Sequence, residues 1–566
     1  MTELGVSRKK VWIAGLIALV VGGIGAFLWR SDLPVRDLID VTSEGGEKLL
    51  REPLRPARGA PRVVVLALDG VGAEEIDAAI VGGRMPALAS LMGGPAQAQG
   101  VRANAYTVPD ALSILPSTTY AAWASTFTGE PAGRTGVPGN EWFTRESRRF
   151  FAPAPVSVSG PEDALEVYSE DLIGQVLRVP TLYERADVRA YVSLASVFRG
   201  ADVLITPDPG AIIEIVAAGV SGLVEGESIE QEAYEQLDRS AMESLLETLR
   251  MRGIPDLQIV YFPGVDLYTH IAEPPLPAQR QYLAEVLDPQ IGLLIAEYER
   301  QGALEDTYFV IVSDHGHTPV INDDRHALGT GDPTEPSALL ELAGFRVRPF
   351  TLELDEEEED YQAVLAYQGA IAYVYLADRS TCPEAGDICD WSRPPRLDED
   401  VMPVARTFRD VSERGNPIPE LLGTLDLVFA RQPRPTSEPA LPFQVLEGDS
   451  LVPIGGYLAR TPRPDLLALE ERLEGLATGP YGHRAGDVLL LARSGAGRPI
   501  EDRFYFSGPY HSWHGSPDAQ DSRIAFIVAS AGSSGAEIRD RIDRVLGHPA
   551  SQLDVVPVVL RLLGIE

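Results

Sequence analysis

Four runs along the chain are apolar at nearly every position instead of alternating: RVVVLALDG (62–70), LQIVYFPGVD (257–266), TYFVIVSDHG (307–316) and RIAFIVASAG (523–532). Continuous runs rich in β-branched residues predict strands covered on both faces. The stretches between them change period. YEQLDRSAMESLLETLRMRG (234–253) and QYLAEVLDPQIGLLIAEYERQG (281–302) carry apolar residues at helical spacing. Strand alternating with helix predicts an α/β fold with a mainly parallel central sheet flanked by helices. Such sheets bind ligands beyond the carboxyl ends of their strands. Three of the four runs deliver a carboxylate to that edge: Asp69, Asp266 and Asp314.

Outside this pattern the chain divides further. Val11 to Trp29 carries no charge over nineteen residues and follows Arg8, Lys9 and Lys10. That predicts a single transmembrane anchor with residues 1–10 cytoplasmic and the bulk of the chain outside. A cleaved signal peptide and a secreted product are the alternative. Residues 30–60, Pro-rich and without period, read as a linker. Residues 61–566 read as one catalytic domain. Its stretch from 331 to about 485 is less regular, with apparent strands at AIAYVYLA and LDLVFAR, and is expected to form a smaller inserted subdomain.

Charge narrows the partners. The net charge of −35 repels polyanions, so no nucleic-acid interface is expected. The acidic run Asp355–Asp360 reads as a solvated loop. Cys382 and Cys389 are the only cysteines; C-x6-C cannot build a four-ligand zinc site alone. Outside the cytoplasm they read as a short disulfide loop, two free thiols being the alternative.

The candidate chemistry lies at the strand ends. Asp266 and His270, four residues apart, can face one metal ion within a helical turn. Asp314-His315 is a second pair, Asp69 a third position, and His514 in WHGSP a further imidazole. Singly, each is more often a cap or a turn residue. Jointly, three Asp and three His are the donor set for two zinc-like divalent ions. Two such ions suit phosphoryl transfer, which also needs a hydroxyl beside them. PSTTYAAWASTFTG (116–129) offers six on Ser and Thr. Tyr120–Thr128 is helix-compatible and Gly129 a natural stop, which puts Thr119 near the helix N-terminus, with Ser117 and Thr118 as alternatives.

The ordered set Asp69, PSTT, TG…GN, Asp266-x3-His270, Asp314-His315-Gly and His514-Gly resembles the alkaline phosphatase superfamily, most closely its type I phosphodiesterase/nucleotide pyrophosphatase branch. The likeness covers nearly all of residues 62–566 and includes the closing LDVVPVVLRLLGI. It implies an alkaline-phosphatase-like core and two divalent cations, zinc by family habit. It also implies a small phosphate-ester substrate, Thr119 as nucleophile and Asn140 as an amide holding a phosphoryl oxygen. Asp266, His270 and His514 would hold one ion; Asp69, Asp314, His315 and Thr119 the other. A membrane-anchored phosphodiesterase acting through a phospho-threonine is the expected function. A phosphomonoesterase, for which Arg145 could supply a cationic contact, a phospho-group transferase and a non-catalytic metal-binding ectodomain are the alternatives. The family's P-N-H after the nucleophile is Ala121-Ala122-Trp123 here, and the His of its P-x-x-H-G turn is Thr135.

Overall fold

The computed structural model describes residues 46–94, 100–158, 162–208, 231–329 and 335–565. The anchor expected at 11–29, the N-terminal segment 1–10 and the linker up to residue 45 lie outside the described residues. Among the described residues no helix is long and apolar enough to cross a membrane.

The main sheet has eight strands: β1 (Glu47–Leu49), β2 (Arg62–Leu68), β3 (Ala105–Thr107), β4 (Ala190–Ser193), β5 (Val203–Ile205), β6 (Leu257–Phe262), β7 (Thr307–Ser313) and, last in the chain, β14 (Phe526–Ala529). Their order across the sheet is β1-β5-β4-β6-β2-β7-β14-β3. The five strands β5, β4, β6, β2 and β7 are mutually parallel. β1, β14 and β3 pair antiparallel at the flanks. Successive side chains of β2 leave by opposite faces, as in any strand. Val63, Val65 and Ala67 enter one core with α2 (Thr119–Thr126) and the C-terminal helix α7 (Val555–Leu562). Val64, Leu66 and Leu68 enter the other, with α1 (Ala73–Val81), α3 (Gln231–Arg252) and α6 (Asp288–Arg300). Burial on both sides is why these runs carry no polar alternation. The second helical stretch is longer than its pattern. It starts as α5 (Pro275–Tyr282) and runs through a widened turn at Leu283–Leu287 into α6, whose second residue, Pro289, lacks an N–H to donate backward.

The register sets the site. Leu68 of β2 stands level with Phe262 of β6 and Ser313 of β7. The next residues of β2 and β7, Asp69 and Asp314, therefore leave the sheet side by side. After β6, the helix α4 (Gly264–Ile271) carries Asp266 and His270 over the same edge.

Residues 46–60 depart from the expected linker. β1 adds an edge strand, Arg55 pairs with Asp202 at 3.0 Å, and Arg58 N donates to Asp256 Oδ1 at 2.8 Å. Two carboxylates from distant parts of the chain thus hold a segment that has no pattern of its own.

The inserted part forms a second, antiparallel sheet from β8 (Ala363–Gln368), β9 (Ile371–Leu376), β10 (Leu425–Ala430), β11 (Gln444–Glu447), β12 (Ser450–Pro453) and β13 (Val488–Ala492), ordered β8-β9-β13-β10-β11-β12. It extends past residue 485, because β13 is one of its inner strands. The acidic run is only partly solvated: Glu359 pairs with Arg148, and Asp360 with Arg346 at 3.0 Å. Cys382 and Cys389 are joined, with an S–S length of 2.02 Å, inside the apolar layer beneath this sheet.

Candidate active site

Thr118 is extended (φ −131°, ψ 149°), and Thr119 is the first residue of α2. Its hydroxyl oxygen lies 3.4 Å from His315 Nε2. The flanking hydroxyls are differently placed. Ser117 Oγ donates to Ser516 O at 3.1 Å, Thr128 Oγ1 donates to Ala124 O at 2.7 Å, and Ser125 and Thr126 are buried in the helix. Thr118 Oγ1 is buried with no hydrogen-bond partner among the described residues. Trp123, where the family pattern has another residue, packs in the core against Phe127 and edge-on to Tyr261.

Three histidines are aimed by backbone carbonyls. The Nδ1 atoms of His270, His315 and His514 lie 2.8, 3.1 and 3.0 Å from the carbonyl oxygens of Ser512, Gly316 and Ser117. A carbonyl only accepts, so each Nδ1 carries a proton, and in the neutral ring each Nε2 keeps its lone pair for the site. His270 Nε2 is 3.4 Å from Asp266 Oδ2, and His315 Nε2 is 3.3 Å from Asp314 Oδ2 and 3.6 Å from Asp69 Oδ1. Tyr261 donates its hydroxyl to Asp69 Oδ2, and Gly70 N donates to Asp314 Oδ1 at 2.9 Å. Gly70 sits at φ +67°, where a Cβ would come within 2.5 Å of Asp266 Oδ1. Only glycine permits that approach.

Among the described residues, three sets of donor atoms lie within 4.8 Å of one another: Asp69, Asp314 and His315; Asp266, His315 and His514; and Asp266, His270 and His317. The first is the expected set for one ion. The other expected set, Asp266 with His270 and His514, is not among the three, and His514 Nε2 stands 4.0 Å from Asp266 Oδ1. His317, which the sequence reading left unused, takes a place beside Asp266, with Nε2 2.8 Å from Oδ1. The spacing Asp314-His315-Gly316-His317 was the available signal, since residues i and i+2 of an extended loop can reach adjoining positions.

The electrostatics are those of a cation site. Burial, then the charges of Asp314 and Asp266, push Asp69 well above the usual carboxylate range, and burial raises Asp314. Burial also opposes ionisation of Asp266, and that carboxyl is held well below its ordinary value only with positive charge beside it, whether on His270 and His317 or on a cation in their midst. Burial and the neighbouring His315 drive His514 well below the usual imidazole range. Asp69 Oδ1 and Asp314 Oδ2 are buried and accept no hydrogen bond among the described residues. Orphaned carboxylate oxygens facing imidazole lone pairs fit divalent cations of the zinc type, which take N and O donors together.

Asn140 is seated by neighbours the sequence did not reveal. Its backbone N–H donates to Gln368 Oε1 at 2.7 Å, and Gln368 Nε2 donates to Glu141 O. Gln368 ends β8, so the second sheet holds this amide in place. The same hairpin reaches His514: Ala370 N donates to His514 O at 3.1 Å. Arg145 differs from its expected role. It is buried against Asp487, donates to Leu376 O at 2.9 Å and lies over the Trp391 ring.

Residues 63–380, more than half of the chain, match the family described as type I phosphodiesterase/nucleotide pyrophosphatase. No curated protein sequence matches. Similar solved structures include murine ectonucleotide pyrophosphatase/phosphodiesterase 5, in an inactive form in complex with AMP, at 12% identity and TM-score 0.49, covering 89% of this chain and 95% of that one. Phosphonoacetate hydrolase from Sinorhizobium meliloti 1021 in complex with phosphonoformate has 16% identity and TM-score 0.45, covering 91% of this chain and 100% of that one.

Proposed function

We propose that this chain, which belongs to the type I phosphodiesterase/nucleotide pyrophosphatase family and is therefore a phosphoester hydrolase, cleaves small phosphodiesters through a phospho-threonine formed on Thr119. The observation that carries this reading is the 3.4 Å approach of Thr119 Oγ1 to His315 Nε2, at the first turn of a helix and beside two buried carboxylates. Asp69, Asp314 and His315, with Thr119, would hold one divalent cation; Asp266, His270 and His514 would hold the other. When bound, such cations lower the pKa of a hydroxyl and neutralise phosphoryl and leaving oxygens.

The chain's own groups supply the rest. Thr119 Oγ1 attacks phosphorus and the P–O bond to the leaving alcohol breaks; water then attacks the same phosphorus and frees Thr119. The N-terminus of α2 favours negative charge on that oxygen and on the phosphoryl group. Asn140 accepts the Tyr120 N–H with Oδ1, so its Nδ2 hydrogens remain to be donated to a phosphoryl oxygen. A diester is the better substrate than a monoester, whose extra charge needs a further cationic contact. Arg145, the residue considered for that contact, is committed to Asp487.

Val11–Trp29 anchors the enzyme with its catalytic domain on the extracytoplasmic side, a compartment in which the Cys382–Cys389 bridge persists. The test is turnover by the full chain in detergent, on a nitrophenyl diester and a nitrophenyl monoester, before and after metal removal. Diester cleavage lost on chelation and restored by zinc is expected. Unchanged activity without metal, or preference for the monoester, defeats the reading. Recovery of the chain in the soluble fraction with residues 1–29 removed defeats the anchor.

A further inference from the structure

His317 is fully buried and has a hydrogen-bond arrangement with one gap in it. Ser512 Oγ donates its only proton to Thr269 O at 2.8 Å, so toward His317 Nδ1, 3.1 Å away, it can only accept. Nδ1 therefore carries the imidazole proton. Nε2 is left with its lone pair pointed at Asp266 Oδ1, 2.8 Å away. Two lone pairs at that distance need a proton or a cation between them, and Asp266, His270 and His317 together offer donor atoms within 4.8 Å of one another. A proton there makes either a neutral acid of Asp266 or an imidazolium in a dry cluster, with the rings of His270, His514 and His315 at 4.7, 5.4 and 5.9 Å. A cation there also takes up Asp266 Oδ2 and His270 Nε2, which stand 3.4 Å apart. Ligand atoms on a four-coordinate zinc with bonds of about 2.0–2.1 Å are roughly 3.3–3.4 Å apart. The Asp266–His270 pair meets that spacing, while the 2.8 Å contact to His317 would have to open and the 4.0 Å separation to His514 to close.

We propose that His317 is a protein ligand of the cation held by Asp266 and His270. This rests on the two-cation reading above and adds to it. With His514 on the same ion, the protein fills four positions, and the substrate oxygen enters as a fifth or in exchange for a ligand. Ser512 is the positioning residue of this arrangement: its carbonyl orients His270 and its hydroxyl orients His317.

The experiment is a zinc titration of the metal-free full chain in detergent against a competing chelator, for wild type, His317→Ala and His317→Gln. The wild type should take up two ions. Both variants should lose well over 100-fold in affinity for one ion, beyond the roughly 10- to 100-fold that losing a residue which merely orients a ligand costs, and keep the other unchanged. Two ions bound as tightly by the variants as by the wild type remove the fourth ligand and leave the two-cation reading standing. A wild type that takes up no zinc defeats both. Should neither variant fold, cadmium-loaded wild type with labelled histidine decides by NMR. Four imidazoles coupled to cadmium are expected; three, with His317 uncoupled, overturn the proposal.

Discussion

Tyr120 donates its backbone N–H to Asn140 Oδ1 at 3.0 Å, so the amide proposed to hold the substrate sits on the same helix turn that presents Thr119. The proposed nucleophile and amide are thereby fixed to each other before any substrate arrives. A backbone N–H can only donate, which settles which way the amide is turned.

Thr119→Ala should lower diester turnover by about 10³-fold or more, with zinc content and unfolding temperature close to wild type, because the nucleophilic hydroxyl is lost while Asp69, Asp314 and His315 still offer one ion three donors. Thr119→Ser should retain measurable activity. Ser117→Ala and Thr118→Ala should keep most of theirs. Steady-state kinetics on a nitrophenyl diester decides, and an active Thr119→Ala beside a dead Thr118→Ala would shift the nucleophile by one residue.

Gln368→Ala removes the acceptor of the Asn140 N–H without touching any proposed metal ligand. The amide loses its seat, and kcat/KM should fall about 10- to 100-fold, on the scale of a weakened oxyanion donor. Zinc stoichiometry should stay at the wild-type value. A variant with normal kcat/KM would show that Asn140 needs no support from the second sheet.

The proposed metal carboxylates and most of the proposed imidazoles were legible in the sequence, because each closes an apolar run or follows it within a few residues. Three of the four strand runs lie in the parallel core; the fourth, β14, is equally buried but antiparallel, so the apolar pattern gives burial on both faces and not strand direction. What stayed hidden was set by partners far along the chain. Tyr261 meets Asp69 across 192 residues and Gln368 meets Asn140 across 228. His317 was visible as a histidine, but its direction depends on Ser512 and Thr269, which no local spacing connects. Residues 46–60 looked like a tether because their order comes from the Asp202 and Asp256 side chains and not from a periodic face. Arg145 looked exposed in FTRESRR because the carboxylate that buries it, Asp487, lies in the loop before β13.

That pair should matter for stability and not for chemistry. The side chains of Arg145 and Asp487 are 6% and 8% exposed, and Asp487 Oδ2 also accepts Leu376 N at 2.9 Å. Asp487→Ala leaves a buried guanidinium unpaired, at a cost of about 3–5 kcal/mol. Urea unfolding should report that loss, while kcat of the remaining folded enzyme stays near wild type.

Asp238 gives the fold a dependence on pH. It accepts Gly264 N at 3.2 Å and the Tyr282 hydroxyl at 2.9 Å, and burial raises its pKa from 3.8 to about 7. A carboxyl whose folded pKa lies above its unfolded value binds its proton more tightly when folded. Its contribution is thus complete below about pH 4 and is lost as pH rises through about 7, with a limiting slope of about 1.4 kcal/mol per pH unit. Asp238→Asn keeps the shape without the charge. Unfolding of the metal-free variant should be flatter than wild type across this window, and parallel pH profiles would assign the dependence elsewhere.

The turn between β8 and β9 has a consequence for the molecule as a whole. Gly369 lies at φ +67°, where a Cβ would stand 2.1 Å from His514 O, and its neighbours grip His514 and Asn140. The inserted sheet is therefore the back wall of the candidate site and not an ornament on it. Trimming the chain to its parallel core would leave the carboxylates in place but cut two of the groups they work with loose from their supports. Conversely, a cation bound through His514 would tie the two hydrophobic layers into one cooperative unit, so that neither could melt while the ion stayed bound.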